Sequence, residues 1–308
     1  MSIVKIFAGT NSHDMGQKIA ESYGSTLGGL TISKFSDGEM SPSFTESVRG
    51  CHIFIVQSTN PPADNLLELL LIIDAARRAS AKYVTVVTPY YGYARQDRKD
   101  KPRVSIAAKL VANLITSAGA DRIMTCDLHA GQIQGFFDIP LDHLDGSYIF
   151  IPYLKSLELD DLIFAAPDVG GVGRARSFAK HLETEMVVCD KHRKRANEIA
   201  SMQVIGDVEG KNVVLVDDIV DTAGTICRAA QLLKEKGAIS VRAICTHAIL
   251  SGKAYENIEN SVLEELVVSD SVTLKQPSDK IKVLSVADMF GKAIGSVIDD
   301  RSISSLFI

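Results

Sequence analysis

The chain has 308 residues, of which 46 % are hydrophobic and 23 % charged, with a formal net charge of −5. This is the profile of a globular chain with room for two domains, and its acidic balance argues against a nucleic-acid scaffold or an anionic membrane surface as partner. No apolar run approaches the ~18 residues of a membrane span.

Taken in order, residues 1–7 alternate apolar and polar and read as a strand, not as the charged start of a targeting segment. Strands follow over 52–56, 83–87 and 122–126, with helical patterns over 14–23, 63–80 and 106–117 between them. A second set has strands over 162–166, 186–189, 213–216 and 241–245, and helices over 173–182, 224–236 and 287–298. Alternation of this kind predicts an α/β fold of mostly parallel sheets flanked by helices. Ligands on such sheets lie at the carboxyl ends of the strands. The two sets are similar in size and order, as a duplication would leave them. The boundary falls within 142–148, giving domains 1–145 and 146–308. The five cysteines (51, 126, 189, 227 and 245) include no Cys-x-x-Cys pair. They read as free thiols of a reducing, cytoplasmic compartment.

Several strand ends carry residues suited to chemistry. Phe35-Ser36-Asp37-Gly38-Glu39 offers an aromatic face and two acceptors for a purine, or is a plain hairpin turn. Residues 90–99 hold three tyrosines with Arg95, Gln96, Arg98 and Lys99. They form a polyphosphate-binding loop or a solvated basic one. His129 ends another strand as a candidate metal ligand or a hydrogen-bonded structural residue. Asp168-Val169-Gly170-Gly171 opens a helix: the glycines allow close approach to a diphosphate and Asp168 can hold a metal, or the segment is a Pro-Asp helix start with a flexible turn. Five of the twelve residues 190–201 are basic (Lys191, His192, Arg193, Lys194, Arg195). This stretch lacks apolar periodicity and reads as a mobile loop.

The strongest signal lies at 213–225. A buried strand runs into Asp217 and Asp218, then into Asp221-Thr222-Ala223-Gly224-Thr225 at a helix start. Free N–H groups and the helix dipole there suit a phosphate, with the threonines as added donors. The two carboxylates before it can accept from sugar hydroxyls. A helix cap needs one aspartate, not three. This segment resembles the phosphoribosyl-diphosphate fingerprint of the phosphoribosyltransferase superfamily. There is no Gly-x-x-x-x-Gly-Lys-Ser/Thr loop and no protein-kinase signature, so ATP would be held by another route.

Taken together, 35–39, 46–50, 91–99, 127–137, 167–171, 191–197 and 217–225 resemble class I ribose-phosphate diphosphokinase, also called phosphoribosyl-diphosphate synthetase. The likeness spans nearly the whole chain. It implies two similar phosphoribosyltransferase-like domains, the first carrying ATP-site loops and the second the ribose-5-phosphate site. The final ~15 residues would pack back on the first domain. It further implies that Phe35, Asp37, Gly38 and Glu39 read adenine and that Arg95 and Gln96 contact ATP. His129 and Asp168 would be metal ligands, with Mg²⁺ as cofactor. Lys191 and Arg193 would be the catalytic cations. Asp217, Asp218 and 221–225, with Arg193, would hold ribose 5-phosphate, while 168–171 would hold the diphosphate. Ser47, Arg49, Ser302 and Ser304 would bind a regulatory anion, with inorganic phosphate and ADP as effectors and a dimer-based homohexamer as the assembly. The sequence departs from the family pattern at His192, Arg301 and Ser305.

The implied reaction moves the β,γ-diphosphoryl group of Mg-ATP to ribose 5-phosphate. The alternatives are a phosphoribosyltransferase, which shares 213–225 but needs neither the extra half nor the 35–39 and 91–99 loops, and a non-catalytic regulatory homologue. The second would have lost metal or loop residues, and here Lys191, Arg193, His129 and Asp168 are all present.

Overall fold

The structure is a computed structural model that describes residues 3–192 and 201–307. The chain forms two compact units, Met1–Asp145 with Val286–Ile308, and Gly146–Ser285. Among the described residues no helix is long and apolar enough to cross a membrane.

The first unit opens with β1 (Val4–Ala8), α1 (His13–Tyr23) and a hairpin of β2 (Leu30–Lys34) and β3 (Met40–Phe44). β4 (His52–Val56), α2 (Asp64–Arg78), β5 (Tyr83–Thr88), α3 (Ala107–Ala118), β6 (Arg122–Cys126) and β7 (Leu141–Leu144) follow. The sheet has the order β1-β4-β5-β6-β7, with every pair parallel. Its strands are near-continuous apolar runs because both faces are covered: Ile53, Phe54, Ile55 and Val56 are all buried. α1 and α3 stop at Gly24 (φ +85°) and Gly119 (φ +115°), left-handed caps that a side chain would strain.

The second unit comprises α4 (Ser147–Ser156), β8 (Leu162–Ala166), α5 (Val172–His181), β9 (Met186–His192), β10 (Ser201–Ile205), β11 (Asn212–Val220), α6 (Gly224–Glu235), β12 (Ser240–Ala248), α7 (Ala254–Glu259), β13 (Leu266–Ser269) and β14 (Ile281–Leu284). Its sheet runs β10-β9-β8-β11-β12-β13-β14, with only β10 antiparallel. The pleat divides β11 between two cores. Val213 and Leu215 pack with Ile226, Ala229 and Leu233 of α6, whereas Val214 and Val216 pack with Ala175 and Phe178 of α5.

α8 (Ala287–Ile298) belongs by its contacts to the first unit. It lies along α1, where Gly291 permits an approach that a Cβ would block at 2.5 Å from Ser22 Oγ. Ser22 Oγ also donates to Asp288 at 3.2 Å. The return to the first unit therefore begins at residue 286 and takes in all of α8, about eight residues more than the expected tail of ~15 residues. The apolar stripe of α8, with Phe290, Ala293 and Ile294 fully buried, is what needs that cover.

Candidate active site

β11 is longer than the sequence suggests. It pairs with β8 only as far as Leu215↔Ala165 but with β12 as far as Val220↔Ala248. Asp217 and Asp218 thus lie inside the strand, not beyond its end, on the stretch that β8 leaves uncovered. The turn after β8 fills that space. A Cβ on Gly171 would sit 3.5 Å from Val216 O, so the 168–171 backbone runs against β11 directly. Asp168 accepts from Gly171 N–H at 3.1 Å and is itself exposed, as are Val169 and Gly170.

The two carboxylates differ. Asp218 is 7 % exposed and lies 3.7 Å from Arg174 of α5. Asp217 accepts from Asp218 N–H at 2.9 Å. Burial, then the Asp218 charge and more weakly that of Asp168, push Asp217 up to about 7. Loss of hydration and a like charge both disfavour its ionised form.

The 221–225 turn stands at the start of α6. Thr222, Gly224 and Thr225 are exposed, and the leading N–H groups of a helix have no partner within it. Ala223 is left-handed at φ +60°. Asp221 is held by a distant residue. Asp221, expected among the ribose-5-phosphate ligands, has its Oδ1 engaged by Ser251 Oγ, and its carbonyl accepts from Ser251 N–H at 2.9 Å. The sequence carried no signal for Ser251, which lies 30 residues further along the chain.

The basic segment 190–201 is not wholly a loop. Asp190, Lys191 and His192 belong to β9, and Ser201 opens β10, with Met202↔Lys191 in register. Arg193, Lys194 and Arg195 lie outside the described residues.

In the first unit, Phe35–Glu39 is the tip of the β2–β3 hairpin. Phe35 N–H donates to Glu39 O at 2.9 Å, Glu39 N–H to Asp37 Oδ1 at 3.0 Å, and Gly38 has φ +98°. The Phe35 ring is 61 % exposed. The loop is a hairpin turn that leaves Phe35 exposed. After β5, Tyr90 and Tyr91 are buried. Tyr91 OH donates to Ala108 O at 2.7 Å, its ring meets Phe137 edge-on, and burial raises its phenol. These tyrosines anchor the loop, while Arg95 and Gln96 stand exposed beyond them. Gln96 is held through its backbone by Tyr93 and Ala108.

His129 is exposed past the end of β6. The preceding turn, with Asp127 at φ +39°, is fixed by Leu128 N–H donating to His143 Nε2 at 2.9 Å. Among the described residues, no three His, Cys, Asp or Glu side chains cluster as a metal cage. Asp168 is the donor type that Mg²⁺ takes, since this ion uses one or two carboxylates together with waters and substrate phosphates.

Of the anion-site candidates, Ser47 and Arg49 border an open groove with Pro42, Phe44 and Arg78, and Arg49 donates to Ser80 Oγ at 3.0 Å. Ser302 and Ser304 are exposed on a tail that packs by its half-buried Ile303, Leu306 and Phe307. Neither serine lines that groove.

Comparison with known proteins gives the following. Residues 4–119 match the N-terminal domain of ribose phosphate pyrophosphokinase, and residues 183–308 match the phosphoribosyl synthetase-associated domain. The chain is 55 % identical over 303 residues to a ribose-phosphate pyrophosphokinase of Porphyromonas gingivalis, covering 98 % of this chain and 97 % of that one. It is also 55 % identical over 305 residues to that of Campylobacter jejuni, covering 99 % of each. A crystal structure of phosphoribosylpyrophosphate synthetase from Mycobacterium smegmatis superposes with a TM-score of 0.91 at 36 % identity, over 97 % of this chain and all of that one.

Proposed function

Because the chain belongs to the ribose-phosphate pyrophosphokinase family, we propose that it transfers the β,γ-diphosphoryl group of Mg-ATP to the anomeric hydroxyl of ribose 5-phosphate. The products are 5-phosphoribosyl 1-diphosphate, a precursor for nucleotide biosynthesis, and AMP. The observation that carries the reading is the run of β11 past the end of β8. It sets Asp217 and Asp218 beside the 168–171 turn and ahead of the phosphate-type turn at α6.

The anomeric oxygen attacks the β-phosphorus in line. A bond forms from that oxygen to phosphorus, and the α,β-bridging oxygen departs with AMP. Such transfers ask the protein for positioning and charge stabilisation more than for covalent work. In this reading Asp217 and Asp218 accept from the ribose hydroxyls. The N–H groups of 222–225, with the Thr222 and Thr225 hydroxyls, hold the 5-phosphate, and the 168–171 backbone receives the diphosphate. Lys191 and Arg193 neutralise charge developing on the transferred group, and Arg193 also reaches the sugar phosphate. Phe35, Asp37, Gly38 and Glu39 recognise adenine, and Arg95 and Gln96 the nucleotide. Asp168 and His129 are the assigned metal ligands. Mg²⁺, when bound, supplies charge neutralisation at phosphate oxygens.

The proposal extends to a cytoplasmic, dimer-based hexamer regulated by inorganic phosphate and ADP through Ser47, Arg49, Ser302 and Ser304. The test of the activity is direct. Purified protein with ATP, Mg²⁺ and ribose 5-phosphate, and no nucleobase, should form AMP and 5-phosphoribosyl 1-diphosphate in equal amounts. A protein that makes no AMP under these conditions, but releases diphosphate from phosphoribosyl diphosphate when a base is added, is a phosphoribosyltransferase instead.

A further inference from the structure

The chain after β12 grips the phosphate turn from a separate element, and the geometry points to Ser251 and Asn257 as positioning residues for ribose 5-phosphate. Ile249 and Leu250 N–H both donate to Val220 O, at 3.0 and 3.1 Å. Ser251 N–H donates to Asp221 O at 2.9 Å, and its hydroxyl donates to Asp221 Oδ1. Asn257 Nδ2, from α7, donates to Thr222 O at 2.8 Å. Three consecutive carbonyls, those of Val220, Asp221 and Thr222, are thus held from one side. Leu250, at φ +46°, makes the kink that lets this segment turn back onto them.

The consequence follows from the planarity of the peptide. In a trans peptide the C=O and the next N–H point in opposite directions. Fixing Asp221 O toward Ser251 aims the Thr222 N–H the other way, and fixing Thr222 O toward Asn257 does the same for the Ala223 N–H. Two successive amides turned to one side are the beginning of an anion nest, which the first turn of α6 continues. Ala223 needs the support, because φ +60° is a conformation that an alanine seldom holds unaided. Asp221 then acts through the backbone: its carboxylate ties the turn to Ser251. Ser251 and Asn257 aim the cradle. This inference rests on the reading of 221–225 as the ribose-5-phosphate cradle.

The experiment is steady-state kinetics with each substrate varied in turn, on the full-length enzyme and its variants Asn257→Ala, Asn257→Asp, Ser251→Ala, Ser251→Thr and Thr225→Val, each checked for cooperative thermal unfolding. Loss of one backbone-aiming hydrogen bond should raise KM for ribose 5-phosphate by about 10-fold in Asn257→Ala and Ser251→Ala. The rise should be larger in Asn257→Asp, whose carboxylate repels the Thr222 carbonyl. KM for ATP should stay near the wild-type value, kcat should fall by less than KM rises, and Ser251→Thr, which keeps the hydroxyl, should restore most of the loss. The inference is overturned if both KM values rise together, or if Thr225→Val raises KM for ribose 5-phosphate while the Asn257 and Ser251 variants do not. If Thr225→Val itself leaves that KM unchanged, the cradle reading fails first and takes this inference with it. Should Asn257→Ala not fold, Ser251→Ala against Ser251→Thr decides the matter alone.

Discussion

Asp218 N–H donates to Oδ1 of Asp217 at 2.9 Å, so the Asp217 carboxylate is turned back onto the backbone of its neighbour on β11. Arg174 lies 3.7 Å from Asp218, while burial and the neighbouring Asp218 charge push the Asp217 carboxyl up.

A pH dependence of stability follows. Burial and the Asp218 charge push Asp217 in the fold up from its ordinary 3.8 to about 7. A carboxyl whose folded value is raised binds its proton more tightly in the native state, so stability falls as pH rises. The contribution is fully present below about 3.8 and is lost as pH passes through about 7. Asp217→Asn removes the ionisation. Without sugar phosphate, nucleotide or divalent cation, its melting temperature relative to wild type should be higher at pH 8 than at pH 5. Thermal unfolding at the two values checks this, and a pH-independent difference would refute it. The same variant should lose affinity for ribose 5-phosphate.

How much of this was legible beforehand depends on the range of the interaction. The helix over 224–236 and the strands over 52–56 and 122–126 were readable because local periodicity and Gly or Asp punctuation set them. The strand of β11 could not be followed past Val216. Two aspartates look like a strand end until the neighbour β12, which pairs on to Val220, is known. The placement of α8 depends on Gly291 meeting Ser22, a contact across most of the chain that no local pattern encodes. Ser251 was invisible for the same reason: its role exists only through its bonds to Asp221.

Lys191 is placed on β9 opposite Met202. If it is the proposed transition-state donor, Lys191→Ala should lower kcat by ~10²–10³ with a much smaller change in either KM. Single-substrate titrations read the two effects apart. A variant with near-normal kcat would remove Lys191 from the chemistry.

Phe35 stands exposed on a closed turn, and the proposed assembly would have this loop serve a neighbouring subunit's nucleotide. Mixing an Asp37→Ala/Glu39→Ala variant with Lys191→Ala should then restore part of the activity in hybrid assemblies. Subunit exchange must be verified by tagging. Exchange without rescue would show that each subunit completes its own site.

For regulation, the 42–49 groove is lined by Arg49 and Arg78, and by Glu46, whose carboxylate is paired with Lys5. A guanidinium offers a planar fork suited to phosphate. Inorganic phosphate should activate the wild type, and Arg49→Ala should shift the activation midpoint to higher concentration, as should Ser302→Ala/Ser304→Ala if the tail serines reach the anion in an assembly. Identical phosphate curves for all three proteins would place the effector elsewhere.

Two glycines separate packing from ligand binding. A Cβ at Gly92 would lie 2.1 Å from Thr59 O, a backbone atom that cannot step aside, and the Gly92 N–H is bonded to Thr59 Oγ1 at 2.8 Å. Gly92→Ala should therefore destabilise the first unit by about 1–3 kcal/mol, the usual cost of overpacking. It should also raise KM for ATP by moving the chain that leads to Arg95 and Gln96. At Gly171 the same added carbon meets nothing nearer than 3.4 Å, and the backbone there is ordinary at φ −78°. Gly171→Ala should change stability by no more than about 0.5 kcal/mol. Yet its methyl group stands on the turn assigned to the diphosphate, so kcat/KM should drop well beyond what the stability change explains. Denaturant unfolding and kinetics on both variants give the comparison. If Gly171→Ala were as active as it is stable, the 168–171 turn would not be where the diphosphate lies.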